Sequence, residues 1–174
     1  MTSVTRRGLL GAAATGTLGL AACVTAPAKE AAYDGEVAFQ HGVASGDPLA
    51  DRVILWTRVT PTSGAGAIPV RYEVMDGAGT VVTSGMLSAD AAHDYCVKAD
   101  AAGLQPATTY TYRFKALTGA GEVASPTGRT RTTAIAGDAP VRLVVISCSN
   151  WQFGFFNAYA ALSQEADVDA IVHL

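Results

Sequence analysis

The chain has 174 residues, 49% of them apolar and 16% charged, with a formal charge of −3. That balance belongs to a folded protein of one or two domains and excludes an extended disordered chain. Outside the N-terminus there is no run of Lys or Arg, so nothing supplies the basic footprint a nucleic acid requires, and none is expected as a partner.

Chain order begins with an address. Thr5-Arg6-Arg7-Gly8-Leu9-Leu10 sets two adjacent arginines before an uncharged stretch, 8–22, which is the pattern read by the twin-arginine export machinery. The uncharged stretch is 15 residues and rich in glycine, short for a hydrocarbon core about 30 Å thick. A permanent transmembrane helix is therefore not expected. Leu20-Ala21-Ala22-Cys23 resembles a lipobox, in which the Cys23 sulfur receives lipid and holds the mature protein to the membrane. The alternative is an ordinary cleavable signal followed by an incidental cysteine. Residues 1–23 are accordingly read as signal, and 24–35, with Pro27 and Lys29-Glu30, as a mobile tether.

From 36 to 133, short alternating runs are separated by Gly, Pro, Asp and Ser. The expected strands are 39–44, 53–59, 70–75, 80–87, 95–99, 109–117 and 129–133, the number and spacing of an all-β immunoglobulin-like or fibronectin III-like sandwich. Gly46-Asp47-Pro48 and Asp76-Gly77-Ala78-Gly79 predict tight returns. Leu104, followed by a loop and then Tyr110 and Tyr112 on one strand, resembles the tyrosine corner of fibronectin type III domains, so both tyrosines are read as scaffold. Trp56 lies in an alternating strand and is expected in the core, while Trp151 belongs to a loop; together they make no aromatic platform.

The periodicity changes across 134–140, which reads as a linker. Val141-Arg142-Leu143-Val144-Val145-Ile146 is nearly continuous in apolar residues, as a parallel strand covered on both faces would be. Helical spacing over 155–166, through Phe155, Ala158, Tyr159 and Leu162, precedes a second buried strand at 168–174. This predicts a βαβ unit of 34 residues, too small to bury both sheet faces, so the sequence reads as a fragment that ends inside a domain.

Ligands of α/β domains gather at the carboxyl ends of parallel strands, where the first strand places Ser147, Cys148, Ser149 and Asn150. Cys148 there could bind a metal, act as a nucleophile, or simply close the strand as a small buried thiol. Asn150 could support a ligand, face substrate, or cap the loop. His173 is expected in the core or near the strand end. Cys96, beside Lys98 on the outer face of its strand, has no evident task, and a Cys96–Cys148 disulfide is not expected although an exported protein could form one.

Phe39-Gln40-His41-Gly42-Val43-Ala44-Ser45-Gly46-Asp47-Pro48 and Val53-Ile54-Leu55-Trp56-Thr57-Arg58-Val59-Thr60-Pro61 resemble the opening of the alkaline phosphatase D family. The likeness continues through Ser125-Pro126-Thr127-Gly128-Arg129-Thr130-Arg131-Thr132 and Ser147-Cys148-Ser149-Asn150-Trp151-Gln152-Phe153-Gly154. The resemblance implies an exported phosphoesterase in which an immunoglobulin-like domain precedes a calcineurin-like metallophosphoesterase domain. It further implies iron and calcium as metals, with Cys148 as the thiolate iron ligand, and a phosphate ester as substrate. The family places a Gly-Asp motif after the second strand and an Asn-His motif later, and this sequence reaches neither. With only His41, His93 and His173 in the chain, the fragment is expected to be inactive. The competing reading is a cell-envelope binding module whose sandwich recognises glycan or protein without catalysis.

Overall fold

Side-chain alternation across a pleated strand decides which residues this chain buries. Arg52–Arg58 turns Val53, Leu55 and Thr57 inward and leaves Ile54, Trp56 and Arg58 outward, and Thr109–Thr118 buries Tyr110, Tyr112, Phe114 and Ala116 in the same way. The computed structural model describes residues 31–137, 140–150, 152–165 and 167–174. Arg6, Arg7, Cys23, the tether residues 24–30 and Trp151 lie outside the described residues. Among the described residues, no helix is long and apolar enough to cross a membrane.

The strands in chain order are β1 (Val37–Ala38), β2 (Val43–Gly46), β3 (Arg52–Arg58), β4 (Thr60–Pro61), β5 (Ile68–Met75) and β6 (Val81–Ala89). They continue as β7 (Cys96–Ala102), β8 (Thr109–Thr118), β9 (Gly121–Ala124) and β10 (Gly128–Arg131). One sheet runs β2-β3-β7; the other runs β10-β8-β5-β6, with β9 on the far half of β8. All these pairs are antiparallel, and the two orders correspond to the A-B-E and G-F-C-C′ sheets of an immunoglobulin-type sandwich. Between the sheets lie Val53, Leu55, Val59, Ile68, Val70, Val74, Tyr112 and Phe114, all buried.

Local chemistry explains the turns. Asp76 Oδ1 accepts the backbone N–H groups of Ala78 and Thr80, each at 2.9 Å, and Gly79 takes a φ of +82° that an L side chain resists, which closes the β5–β6 hairpin. The last strand is split because Pro126 has no N–H to donate. Ser125 bridges the gap: its Oγ accepts the Phe114 N–H at 2.9 Å, while its own N–H donates to the Phe114 carbonyl at 2.8 Å. At the corner before β8, the Gln105 N–H donates to the Tyr110 hydroxyl at 2.8 Å, and Leu104 is buried beneath it.

Several expectations need correction. The first expected strand, 39–44, is displaced to Val43–Gly46, since Gln40 and His41 form a turn closed by Gly42 at φ +67°. The short strands β1, β4 and β9 carry too few alternations to have been read. The tether 24–35 does not extend to its stated end: Tyr33 is buried, its hydroxyl donates to the Ser63 carbonyl at 2.8 Å, and its backbone bridges Leu117 and Gly119. Trp56 is half-buried on the outer face of β3, opposite Ala44 and Lys98, and is not part of the core.

On the outer face of the larger sheet, Glu73 sits among cations. Arg113 Nε approaches it at 2.8 Å and Lys115 Nζ at 3.0 Å, and Glu122 joins the same group through Arg71 and Lys115. Burial pushes the Glu73 carboxyl up, but the hydrogen bonds and charges of Lys115 and Arg113 prevail and hold it below its ordinary value.

Beyond the sandwich, β11 (Leu143–Ile146) pairs in parallel with β12 (Ala170–His173), and α1 (Asn157–Leu162) lies between them in sequence. The helix is shorter than the expected 155–166, and only Tyr159 and Leu162 on it are partly buried. Both strands were expected to be buried, yet Leu143, Val145, Ile171 and Val172 are exposed. A two-stranded sheet with one short helix lacks the area to cover two faces.

Candidate active site

Backbone strain marks the end of β11. Cys148 has φ +58°, a left-handed conformation that a non-glycine residue adopts at a cost of about 1–3 kcal/mol, and such residues concentrate at functional positions. Its thiol is free and exposed at the carboxyl end of the first parallel strand. Cys96 is free and half-buried at the start of β7, so no disulfide joins the two.

Three further side chains gather near this end. Ser149 Oγ and the Tyr159 hydroxyl are 2.5 Å apart, and the Tyr159 ring stacks on the His173 ring at 6.5 Å with 7° between planes. The backbone N–H of Leu174 donates to the Ile146 carbonyl at 2.9 Å, closing the parallel ladder just below Cys148. His173 is therefore exposed at the end of β12 and is not a core histidine. Asn150 Oδ1 accepts the Gln152 N–H at 2.9 Å, so its side chain caps the loop. Tyr159, which ties α1 to both Ser149 and His173, was read in the sequence only as part of an apolar helix face; hydroxyl placement has no signature in periodicity.

The other histidines are on the sandwich. His93 Nδ1 lies 2.9 Å from Asp90 Oδ1, and Asp94 forms a two-point contact with Arg58 at 3.1 and 2.8 Å. A hollow of about 570 Å³ lies between sandwich and α/β unit, with Asp47, Arg129, Arg131, Arg142, Asp167 and Asp169 among its lining residues. It is at the amino ends of β11 and β12, opposite Cys148, and its charges are largely spent on each other: Arg131 with Asp169 at 3.3 Å and Arg142 with Asp167 at 3.4 Å. Parallel-strand geometry favours the carboxyl end, so the loop of Cys148 is the better candidate.

Among the described residues, no group of three or more His, Cys, Asp or Glu side chains could hold a metal ion. A single thiolate does not make a binuclear centre, so these residues do not by themselves fit an iron and calcium pair.

Comparison with known proteins bears on both parts of the chain. The family model for the PhoD-like phosphatase N-terminal domain matches residues 23–134. Alkaline phosphatase D of Bacillus subtilis (strain 168) is 38% identical over 148 residues, covering 78% of this chain and 24% of that protein. A solved structure of PhoD superposes with a TM-score of 0.70 at 35% identity, over 82% of this chain and 28% of that one. Endoglucanase B of Cellulomonas fimi is 33% identical over 114 residues, covering 65% of this chain and 10% of that protein. The chain thus spans about a quarter of alkaline phosphatase D and a tenth of the endoglucanase. By the family-model match and the likeness to alkaline phosphatase D, this chain belongs to the PhoD-like phosphatase family, and residues 23–134 correspond to the family's N-terminal domain.

Proposed function

We propose that this chain is the amino-terminal part of an exported phosphoesterase that hydrolyses phosphate mono- or diesters, and that residues 141–174 begin its metallophosphoesterase domain. The observation that carries the reading is Cys148: an exposed thiol in a strained conformation at the carboxyl end of the first parallel strand, directly after the family's N-terminal domain. In this reading Cys148 is a thiolate ligand to iron, with calcium as the second metal, and a thiolate suits a transition metal that must be held firmly. Asn150 keeps the loop in shape beside it.

The sandwich is read as a scaffold rather than a binding module. Trp56 is half-buried on the outer face of β3, and the ring pairs among the described residues, Tyr112–Phe114, Phe156–Tyr159 and Tyr159–His173, do not include it. The 174 residues alone are expected to be inactive, because among the described residues no group of His, Cys, Asp or Glu side chains joins Cys148 to build a binuclear site. Export through the twin-arginine machinery would use Arg6 and Arg7, and acylation of Cys23 would anchor the mature protein to the membrane on its outer side.

The test is to express the complete reading frame that contains this sequence and assay a nitrophenyl phosphate monoester and diester with iron and calcium supplied. Hydrolysis that Cys148→Ala abolishes supports the reading. A complete frame that hydrolyses neither ester, or full activity in Cys148→Ala, overturns it.

A further inference from the structure

The loop 147–156, which leads from β11 into α1, is strained at both ends. Cys148 has φ +58° and Phe156, the residue before α1, has φ +50°, both in the left-handed region. Non-glycine residues keep that conformation only where their surroundings over-determine it. The loop's own ties are at its middle: the Gln152 N–H donates to Asn150 Oδ1 at 2.9 Å, and the Phe153 N–H to the Asn150 carbonyl at 3.3 Å. Tyr159, half-buried on α1, reaches both ends. Its hydroxyl lies 2.5 Å from Ser149 Oγ, next to Cys148, and its ring is 5.6 Å from the Phe156 ring at 48°. The other contact of that ring is the stack on His173, at the carboxyl end of β12 and within the range of an offset aromatic pair.

We propose that Tyr159 is a positioning residue for Cys148: its hydroxyl holds Ser149 and so keeps the preceding residue in the left-handed conformation that presents the thiol at the strand end. This rests on the reading of Cys148 as the working group of the site. Phe156 and His173 fix the plane of the Tyr159 ring, which leaves its hydroxyl one place to be. On the other side of Cys148, the bond from the Leu174 N–H to the Ile146 carbonyl secures the strand two residues earlier. Cys148 therefore lies between a ladder bond before it and the hydroxyl bond after it, and removing the hydroxyl cuts the second tie alone. A tyrosine that only filled the inner face of α1 would need its ring and not its hydroxyl.

Nuclear magnetic resonance of the 174-residue chain tests this, with the backbone conformation of Cys148 read from its Cα and Cβ shifts in Tyr159→Phe, Ser149→Ala, the double variant and Ser149→Thr. Tyr159→Phe and Ser149→Ala should each lower the ratio of left-handed to relaxed Cys148 by about threefold or more, as the loss of one hydrogen bond allows. The double variant should go no further, because both changes remove the same bond, and Ser149→Thr, which keeps a hydroxyl, should match the parent. In the complete protein the same two single substitutions should lower kcat by a similar factor at unchanged KM, and Ser149→Thr should retain it. Shifts of Cys148 that stay at the parent values, effects that add in the double variant, Ser149→Thr behaving as Ser149→Ala, or a displaced Cys148 with unchanged kcat overturns the proposal. A complete protein that hydrolyses neither ester overturns the phosphoesterase reading instead, and the shifts still decide whether Tyr159 positions Cys148.

Discussion

Gly128→Ala offers a sensitive probe of how this sandwich is packed. Gly128 faces Tyr112 directly across the β10–β8 ladder, and a Cβ built on it would lie 2.4 Å from Tyr112 Cζ and 2.6 Å from Cε1 and the hydroxyl oxygen. The ring cannot retreat easily. Tyr112 is buried, packs edge-on to Phe114 at 6.3 Å, and shares a hydrogen bond with the Ser45 side chain; burial raises its phenol pKa despite that bond. Overpacking a well-filled site costs about 1–3 kcal/mol, against which the reduced freedom of the unfolded chain returns about 0.4–1 kcal/mol. The expected net loss is roughly 1–2 kcal/mol, a fall in Tm of about 4–15 °C for a domain of this size. Gly85→Ala is the internal control: its Cβ would meet Tyr72 Cε1 at 2.6 Å, but Gly85 is on the edge strand β6 and Tyr72 is only half-buried, so the loss should be smaller. Thermal unfolding by circular dichroism reads both, and Tyr112→Leu in the Gly128→Ala background should recover part of the loss as a measurable coupling. Gly128→Ala as stable as the parent, or less costly than Gly85→Ala, would refute the packing argument.

Tyr110→Phe removes the acceptor of the Gln105 N–H and should destabilise by about 1–3 kcal/mol in urea unfolding, with an unchanged m-value. Glu73 has a folded pKa below its ordinary value, so its contribution is fully present above about pH 4.5 and is lost as pH falls through the folded value. Tm should therefore drop more steeply on acidification in the parent than in Glu73→Gln, which would have lost that contribution at every pH. Replacing Arg6 and Arg7 together by lysine should leave the protein in the cytoplasmic fraction, and Cys23→Ala should release it from membranes, both read by fractionation.

The sandwich was legible because its strands are buried on one face, which writes period-two alternation into β3, β5 and β8, and because Gly and Asp mark the turns at 46–48 and 76–79. What escaped has physical causes. Two-residue strands such as β1 and β4 have no period to detect. Tyr33 looked like part of a tether, because a side chain that docks alone leaves no pattern in its neighbours. Trp56 was misplaced because alternation shows that a strand has two faces but not which of them is inward, and the inward face of β3 belongs to Val53, Leu55 and Thr57. At the candidate site, the parallel pair and Cys148 at its end followed from a continuous apolar run, whereas the Ser149–Tyr159–His173 association depends on how α1 returns over the sheet.

The most direct test of the central claim is metal analysis of the complete protein with and without Cys148. Bound iron with an iron–thiolate absorption band is expected in the parent, with loss of the band and most of the iron in Cys148→Ser. Iron retained with an unchanged spectrum in Cys148→Ser would contradict it.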